Sequence, residues 1–230
     1  MAKRAMTSEA KAAKSKSILD KSTEMFMVLD YDKIKMSDIA KNLGISNGIL
    51  FVYFRTKEEL FFRILCREYE KRLTHLIEMA KTTPVRDYED FKNLVMNELM
   101  ELIDQNPLYI KLESMRTAVF EKNVDAETML HQKINLYKRM SELVGIICKS
   151  SIISPEDVME ILQTEASIIT GCKLSATLPE AVIHIIEQND LNGLKRNFEE
   201  DVRKTMIWYL DGYPINHMVN RTAGQRPQFD

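Results

Sequence analysis

The residues best suited to do chemistry in this sequence lie in one short uncharged segment. A helix over residues 47–53 would present one polar amide, Asn47, beside the apolar side chains of Ile49, Phe51 and Val52. In a DNA major groove, polar groups meet base edges and apolar groups meet thymine methyls. The basic residues that flank this segment are Lys33, Lys35, Lys41, Arg55 and Lys57. The spacing predicts a base-reading helix between cations that contact phosphate.

Two short helices joined by a tight turn would position this face. Ser37 is expected to cap the first helix, Gly44 to end it, and the second to run from about Asn47 to Tyr53. The apolar side chains that would lock the pair together are Ile39, Ala40, Leu43, Ile45, Leu50 and Phe54. Helices this short are unstable alone, so the pattern is typical of a helix-turn-helix. An ordinary helical hairpin would share it.

The same segment resembles the DNA-binding signature of TetR-family transcriptional regulators. The matching residues are Ser37-Asp38-Ile39-Ala40 and Leu43-Gly44-Ile45-Ser46-Asn47-Gly48-Ile49-Leu50-Phe51-Val52-Tyr53-Phe54-Arg55-Thr56-Lys57-Glu58-Glu59-Leu60. The likeness covers about residues 14–62. It implies a homodimer with an amino-terminal three-helix DNA-binding domain. It also implies a larger helical domain that binds a small molecule and dimerises through its last two long helices.

The resemblance assigns roles to individual residues. Ser37, Tyr53 and Lys57 would contact phosphate, whereas Asn47, Gly48 and Val52 would lie against base edges. The complete predicted DNA-binding set is Ser37, Ser46, Asn47, Gly48, Ile49, Phe51, Val52, Tyr53 and Lys57. Two positions depart from the family pattern, because Ile49 stands where Thr is common and Phe51 where Tyr is common. Van der Waals contact with sugar or thymine methyl is expected there instead of a phosphate bond.

Asn47 can be interpreted as a specificity residue, and this interpretation has two alternatives. Its amide can both donate to and accept from adenine, which would make it a specificity residue in A·T-rich half-sites. It could instead serve only as the N-cap of its helix, although Ser46 could fill that position. A third possibility is that Lys35, or an arginine in the amino-terminal arm, selects the base pair.

Composition predicts an all-α protein with a small and a large domain. The chain has 230 residues, of which 45% are hydrophobic, 29% charged and only 7 are Gly and 6 Pro, which disfavours many short strands. Residues 1–82 hold 16 Lys and Arg against 11 Asp and Glu, a balance of +5, while the remainder carries −7. One interpretation is a basic amino-terminal domain that binds a polyanion, attached to a larger acidic domain that does not. The other is ordinary fluctuation of charge along the sequence.

Periodicity predicts the order of segments. They are a flexible arm at 1–13, a helix-turn-helix domain at 14–60, a ligand-binding and dimerisation domain at 61–211, a connecting helix at 57–81 and a tail at 212–230. Further helices are expected near 88–104, 107–121, 125–149, 155–175, 179–188 and 191–209. The longest charge-free run has 13 residues, too short to cross a bilayer, and no secretion signal is recognisable. Three scattered cysteines suit a reducing cytoplasm.

The larger domain has no recognisable catalytic or metal-binding constellation. We therefore expect no enzyme activity, no cofactor and no metal. The 14 methionines could adapt to a largely apolar small-molecule ligand or simply fill a helical core. Tyr109, Glu113 and Arg116 share one helix face. They would either orient a ligand inside the bundle or form an ordinary ion pair on the surface.

Two long helices near the end of the chain are candidates for a dimer interface. Their apolar positions are Val158, Leu162, Ile169, Leu194, Phe198 and Val202. These side chains could instead pack within the subunit, and the family resemblance favours dimerisation. The sequence as a whole predicts a cytoplasmic repressor that binds an inverted-repeat operator in double-stranded DNA until a ligand releases it. The alternative is a helical adaptor that uses the hairpin to bind another protein.

Overall fold

A computed structural model describes residues 7–149 and 153–214, and in these ranges it contains helices and no strand. The α-helices are α1 Ser8–Val28, α2 Met36–Asn42, α3 Asn47–Tyr53, α4 Lys57–Thr82, α5 Tyr88–Gln105, α6 Pro107–Glu113, α7 Ala126–Ile147, α8 Pro155–Ala176, α9 Glu180–Gln188 and α10 Phe198–Gly212. Single 3₁₀ turns form at Tyr31–Lys33 and Asn192–Leu194, and a π-helical turn forms at Arg116–Phe120. The all-α prediction is confirmed.

The chain divides into two compact units. The first contains the described residues up to Glu70 together with Lys111–Leu136, and the second contains Lys71–Ile110 with the described residues from Tyr137 onward. Helices α4, α6 and α7 each continue from one unit into the other along the chain. No helix among the described residues is long and apolar enough to cross a membrane.

An aromatic cluster forms the core of the first unit. The ring centroids of Phe26 and Tyr31 each lie 5.1 Å from that of Phe61, and the ring of Phe120 lies 5.6 Å from that of Tyr31. Lys111 supports the same core, because its ammonium donates to the backbone carbonyls of Phe26 at 2.9 Å and Leu29 at 3.2 Å. A cation at these carbonyls satisfies and stabilises the carboxyl end of α1. These contacts fix the carboxyl end of α1, which packs against α2, and α2 in turn packs against α3.

The second unit is built on α5, α8 and α10. Helix α10 packs against both of the others, and its buried side chains are Val202, Met206 and Leu210. The hydroxyl of Tyr88 at the start of α5 donates to the carbonyl of Leu210 at 2.7 Å. Helix α9 buries less of its apolar surface than α10 does. Its Ile186 is buried, while Val182, Ile183 and Ile185 are exposed.

Several predicted boundaries are wrong at the ends of elements. Residues Ser8–Ala13, expected in a loose arm, are the first turns of α1, because the hydroxyl of Thr7 accepts from the amide of Ala10 and caps it. The last helix begins at Phe198 instead of 191, because the side chain of Asn197 caps it and accepts from the amide of Glu200. The helix expected over 107–121 ends at Glu113 and gives way to the π-helical turn. Residues 1–6 of the predicted arm and residues 215–230 of the predicted tail lie outside the described residues.

Candidate nucleic-acid interface

The turn between α2 and α3 sets the geometry of the interface. Gly44 adopts a φ of 62°, in the left-handed region that favours glycine, and the amide of Ile45 returns to the carbonyl of Ala40 at 3.0 Å. Ala40 and Leu50 are buried, which joins the two short helices. The predicted helix-turn-helix is confirmed, and α3 has the predicted limits of Asn47 and Tyr53.

Ser46 caps α3 and leaves Asn47 free for another role. The hydroxyl of Ser46 accepts from the amide of Ile49 at 3.3 Å, so the alternative in which Asn47 is the cap is wrong. Asn47 is the first helical residue and is exposed. The cap predicted at Ser37 is also wrong, because α2 begins one residue earlier at Met36 and Ser37 lies exposed in its first turn.

The outer face of α3 is apolar and open. Ile49 and Phe51 are each 46% exposed and Val52 is 75% exposed. A methyl group placed on Gly48 would have only the Ser46 hydroxyl near it, at 3.9 Å, so the fold does not require glycine at this position. A solvated helix surface normally carries charge, and exposed apolar groups of this density mark an interaction surface.

The ammonium group of Lys57 makes hydrogen bonds within the protein. Its ammonium donates to the backbone carbonyls of Tyr31 at 2.8 Å and Ile34 at 3.0 Å, and it lies 3.7 Å from the centroid of the Tyr31 ring. Partial burial lowers the pKa of this ammonium. Lys57 therefore anchors the start of α4 to the 31–34 segment, and its predicted phosphate contact would have to share an ammonium that already has two acceptors. Lys35, Lys41 and Arg55 lie exposed around α2 and α3.

The three predicted ligand-binding residues have different hydrogen-bond partners. Tyr109 and Glu113 are both 1% exposed, so the surface interpretation is wrong for them. The Glu113 carboxylate accepts from Arg116 Nε at 2.9 Å and from the hydroxyl of Tyr69. The hydroxyl of Tyr109 instead accepts from Arg72 Nη1 at 2.9 Å.

Sequence analysis missed the buried charges around Tyr109. Arg72 binds the Glu98 carboxylate with two hydrogen bonds, of 2.8 Å and 2.7 Å, and binds Glu165 Oε2 at 2.6 Å. We call Arg72, Glu98, Tyr109 and Glu165 the Arg72 cluster. A signal existed, because Glu98 and Glu165 fall on the apolar stripes of α5 and α8, where a carboxylate is out of place.

The predicted dimer residues have different surroundings. Val158, Ile169 and Val202 are fully buried within the chain, so they belong to its own core and their assignment to an interface is wrong. Leu162 and Phe198 are partly exposed, and Leu194 is 61% exposed on the 3₁₀ turn before α10. The predicted set did not include other exposed apolar side chains of the second unit, among them Leu174, Ile185, Leu191 and Trp208.

No group of three or more potential metal ligands occurs in the described ranges. The three cysteines are free and half-buried. Burial raises the pKa of the Cys66 thiol to about 12 and raises those of Cys148 and Cys172, so none of these thiols is activated as a nucleophile.

Comparison with known proteins agrees with this geometry. The family model for bacterial regulatory proteins of the tetR family matches residues 18–64, and the model for a tetracyclin repressor-like C-terminal domain matches residues 67–217. The chain is 23% identical over 188 residues to YdgC, an HTH-type transcriptional regulator of Bacillus subtilis, covering 74% of this chain and 89% of the relative. It is 24% identical over 135 residues to the HTH-type transcriptional repressor KstR of Rhodococcus jostii, covering 59% and 61%.

Among solved structures, a TetR/AcrR-family transcriptional regulator from Thermobifida fusca YX-ER1 is 18% identical, covers 87% of this chain and 98% of its own, and has a TM-score of 0.49. The two family models together span the helix-turn-helix and most of the remaining chain. The protein with this capped, uncharged α3 therefore belongs to the TetR family of bacterial transcriptional regulators.

Proposed function

We propose that this regulator is a homodimeric repressor that holds an inverted-repeat operator and is released from it by a small molecule bound in the second unit. The observation that carries the proposal is the exposed face of α3, in which Asn47 lies beside Ile49, Phe51 and Val52. Half-sites one helical turn apart require two recognition helices about 34–36 Å apart. A ligand that favours another separation weakens operator binding.

The chemistry of α3 favours A·T pairs. With Ser46 as the cap, the amide of Asn47 is available to pair with adenine, and the apolar side chains match thymine methyls. Gly48 adds no side chain between the helix backbone and the DNA. The expected operator is therefore rich in A·T where α3 binds.

Selection of bound sequences from random DNA tests this assignment. The wild type should select A·T-rich inverted repeats, and Asn47→Ala should relax the preference at one base pair per half-site, with a loss of about 1–3 kcal/mol on the best site. Asn93→Ala, an exposed asparagine change in the second unit, is the matched control. Unchanged preferences in Asn47→Ala, or a G·C-rich consensus, would refute the assignment.

The adaptor alternative predicts a different dependence on salt. Binding dominated by phosphate contacts weakens log-linearly as salt rises, whereas an apolar protein interface responds little. A titration of the selected operator between about 50 mM and 200 mM salt should lower the affinity by orders of magnitude if the function is DNA binding. A flat response would favour the adaptor.

The dimer would form through apolar groups that the second unit leaves exposed. Trp208 on α10 is 65% exposed and Leu194 is 61% exposed, and such large apolar side chains gain most from burial in an interface. Trp208→Glu should shift the protein to monomer in sedimentation velocity. Leu130→Glu, at a leucine of nearly equal exposure in the first unit, should leave the dimer intact. A Trp208→Glu protein that still sediments as a dimer would place the interface elsewhere.

A further inference from the structure

The Arg72 cluster contains more negative than positive charge. The guanidinium of Arg72 uses four N–H groups on Glu98, Glu165 and Tyr109, and its side chain is only 8% exposed. Within the described part of the chain, it is the one cation hydrogen-bonded to either carboxylate. One arginine cannot neutralise two carboxylates.

The excess charge is concentrated on Glu165. Its Oε2 accepts from Arg72, whereas its Oε1 is buried and has no hydrogen-bond partner among the described residues. The residue is 1% exposed and lies on the buried stripe of α8, between Ile161 and Ile169, both fully buried. A buried carboxylate oxygen without a donor is strongly destabilising, so this position requires a compensating group.

We propose that Glu165 is the anchor for an organic cation, a primary or secondary ammonium group on an apolar body, whose N–H donates to Oε1. A hydrogen-bond acceptor lacks a partner here, so the ligand must bring a donor as well as a charge. The fully buried neighbours of Glu165 on the same stripe of α8, Ile161 and Ile169, are apolar, so a ligand that reaches Glu165 needs an apolar body. The inference rests on the proposed small-molecule release and names the chemical class of that effector.

Below about pH 7, a proton on Glu165 takes the place of this cation when the ligand is absent. Burial raises the pKa of the Glu165 carboxyl to about 7, opposed by the nearby Arg72 guanidinium and reinforced by the charge on Glu98. Tyr109 of α6, the remaining titratable member of the cluster, accepts a hydrogen bond from the same guanidinium. Because an ammonium ligand must displace this proton, its affinity should rise as pH rises through 7 and then become constant. A neutral ligand or a surface-bound cation would not show this dependence.

The test uses the full-length protein without DNA and three probes. These are hexylammonium, 1-hexanol as its neutral counterpart, and tetraethylammonium, which has charge but no N–H donor. Calorimetry at pH 5.5 and pH 7.5, at constant ionic strength, should show hexylammonium binding about tenfold or more tighter at the higher pH. Hexanol and tetraethylammonium should bind more weakly than hexylammonium and without this pH dependence.

Two variants make the assignment specific. Glu165→Gln should lose hexylammonium binding, and Glu101→Gln should behave as wild type, because Glu101 is a half-exposed carboxylate of the same unit paired with His75. The proposal is overturned if hexylammonium binds wild type no better than hexanol, or if it binds Glu165→Gln with wild-type affinity. Because no DNA is present, failure of operator binding cannot be mistaken for failure of this site.

Discussion

Replacing Glu165 by glutamine should change how the stability of the protein depends on pH. Glutamine keeps the shape of the side chain and can still accept from Arg72, but it does not titrate. The remaining pair, Arg72 and Glu98, is then electrically balanced. The variant thus removes the uncompensated charge without opening a cavity in α8.

The size of this change in the free energy of unfolding follows from the pKa of the Glu165 carboxyl in the unfolded and folded states. The Glu165 carboxyl has an ordinary pKa of 4.5 and a folded-state pKa of about 7. The folded state holds the proton more tightly than the unfolded state, so wild-type stability falls as pH rises between these values, by up to about 1.4 kcal/mol per pH unit. The total is about 3 kcal/mol, fully present below pH 4.5 and lost above about pH 7. Glu165→Gln lacks this loss.

Urea unfolding of both proteins at fixed protein concentration, from pH 5 to pH 8, measures the difference. The free energy of unfolding of Glu165→Gln relative to wild type should increase by about 2–3 kcal/mol over this range. Glu101→Gln supplies the baseline for removing an exposed carboxylate. Parallel curves for wild type and Glu165→Gln would show that Glu165 is already ionised at pH 5, and would refute the argument from uncompensated charge.

Four further substitutions test the first unit. Gly48→Ala should raise the free energy of unfolding by up to about 1 kcal/mol, because alanine favours the helical conformation more than glycine does. The same change should weaken operator binding in a gel-shift titration. Tighter operator binding would contradict a close approach of this backbone to DNA. Lys57→Met should lower stability by about 1–2 kcal/mol, since the carbonyls of Tyr31 and Ile34 each lose the hydrogen bond from the Lys57 ammonium. The slope of log affinity for DNA against log salt concentration should be unchanged in Lys57→Met but smaller by about one per subunit in Lys41→Ala. The reverse result would restore Lys57 as a phosphate contact. Phe120→Ala, in the aromatic core, should cost about 3–5 kcal/mol in chemical unfolding, and a loss below 1 kcal/mol would show that this core is not cooperative.

Much of the interface could be predicted from the sequence, because the features that define it depend on residues close together in the chain. The left-handed turn at Gly44, the limits of α3 and the uncharged outer face all follow from residues within a dozen positions of one another. Even there, the predicted cap of α2 is wrong, because Ser37 has the right chemistry but lies two residues after the N-cap position, which Lys35 occupies. A side chain suited to a cap does not by itself fix where a helix begins.

Tertiary contacts explain what the sequence could not predict. Lys57 has the position of a phosphate ligand, but its ammonium lies beside carbonyls of the 31–34 segment, which periodicity cannot place. Arg72 meets carboxylates 26 and 93 positions away in the chain. The available clue was indirect, because Glu98 and Glu165 interrupt the apolar stripes of α5 and α8. Likewise, a stripe pattern cannot separate Val158, which faces the core, from Trp208, which faces solvent.

The open apolar face of α3 also affects the heat of DNA binding. Water covers Ile49, Phe51 and Val52 in the free protein, and docking against thymine methyls would release it. Burial of apolar surface lowers the heat capacity, so the enthalpy of operator binding should become steadily more favourable on warming. Non-specific complexes held by phosphate contacts alone bury little apolar surface. The preference for the operator over other DNA should therefore vary with temperature more strongly than in a regulator whose recognition helix carries polar groups at these positions.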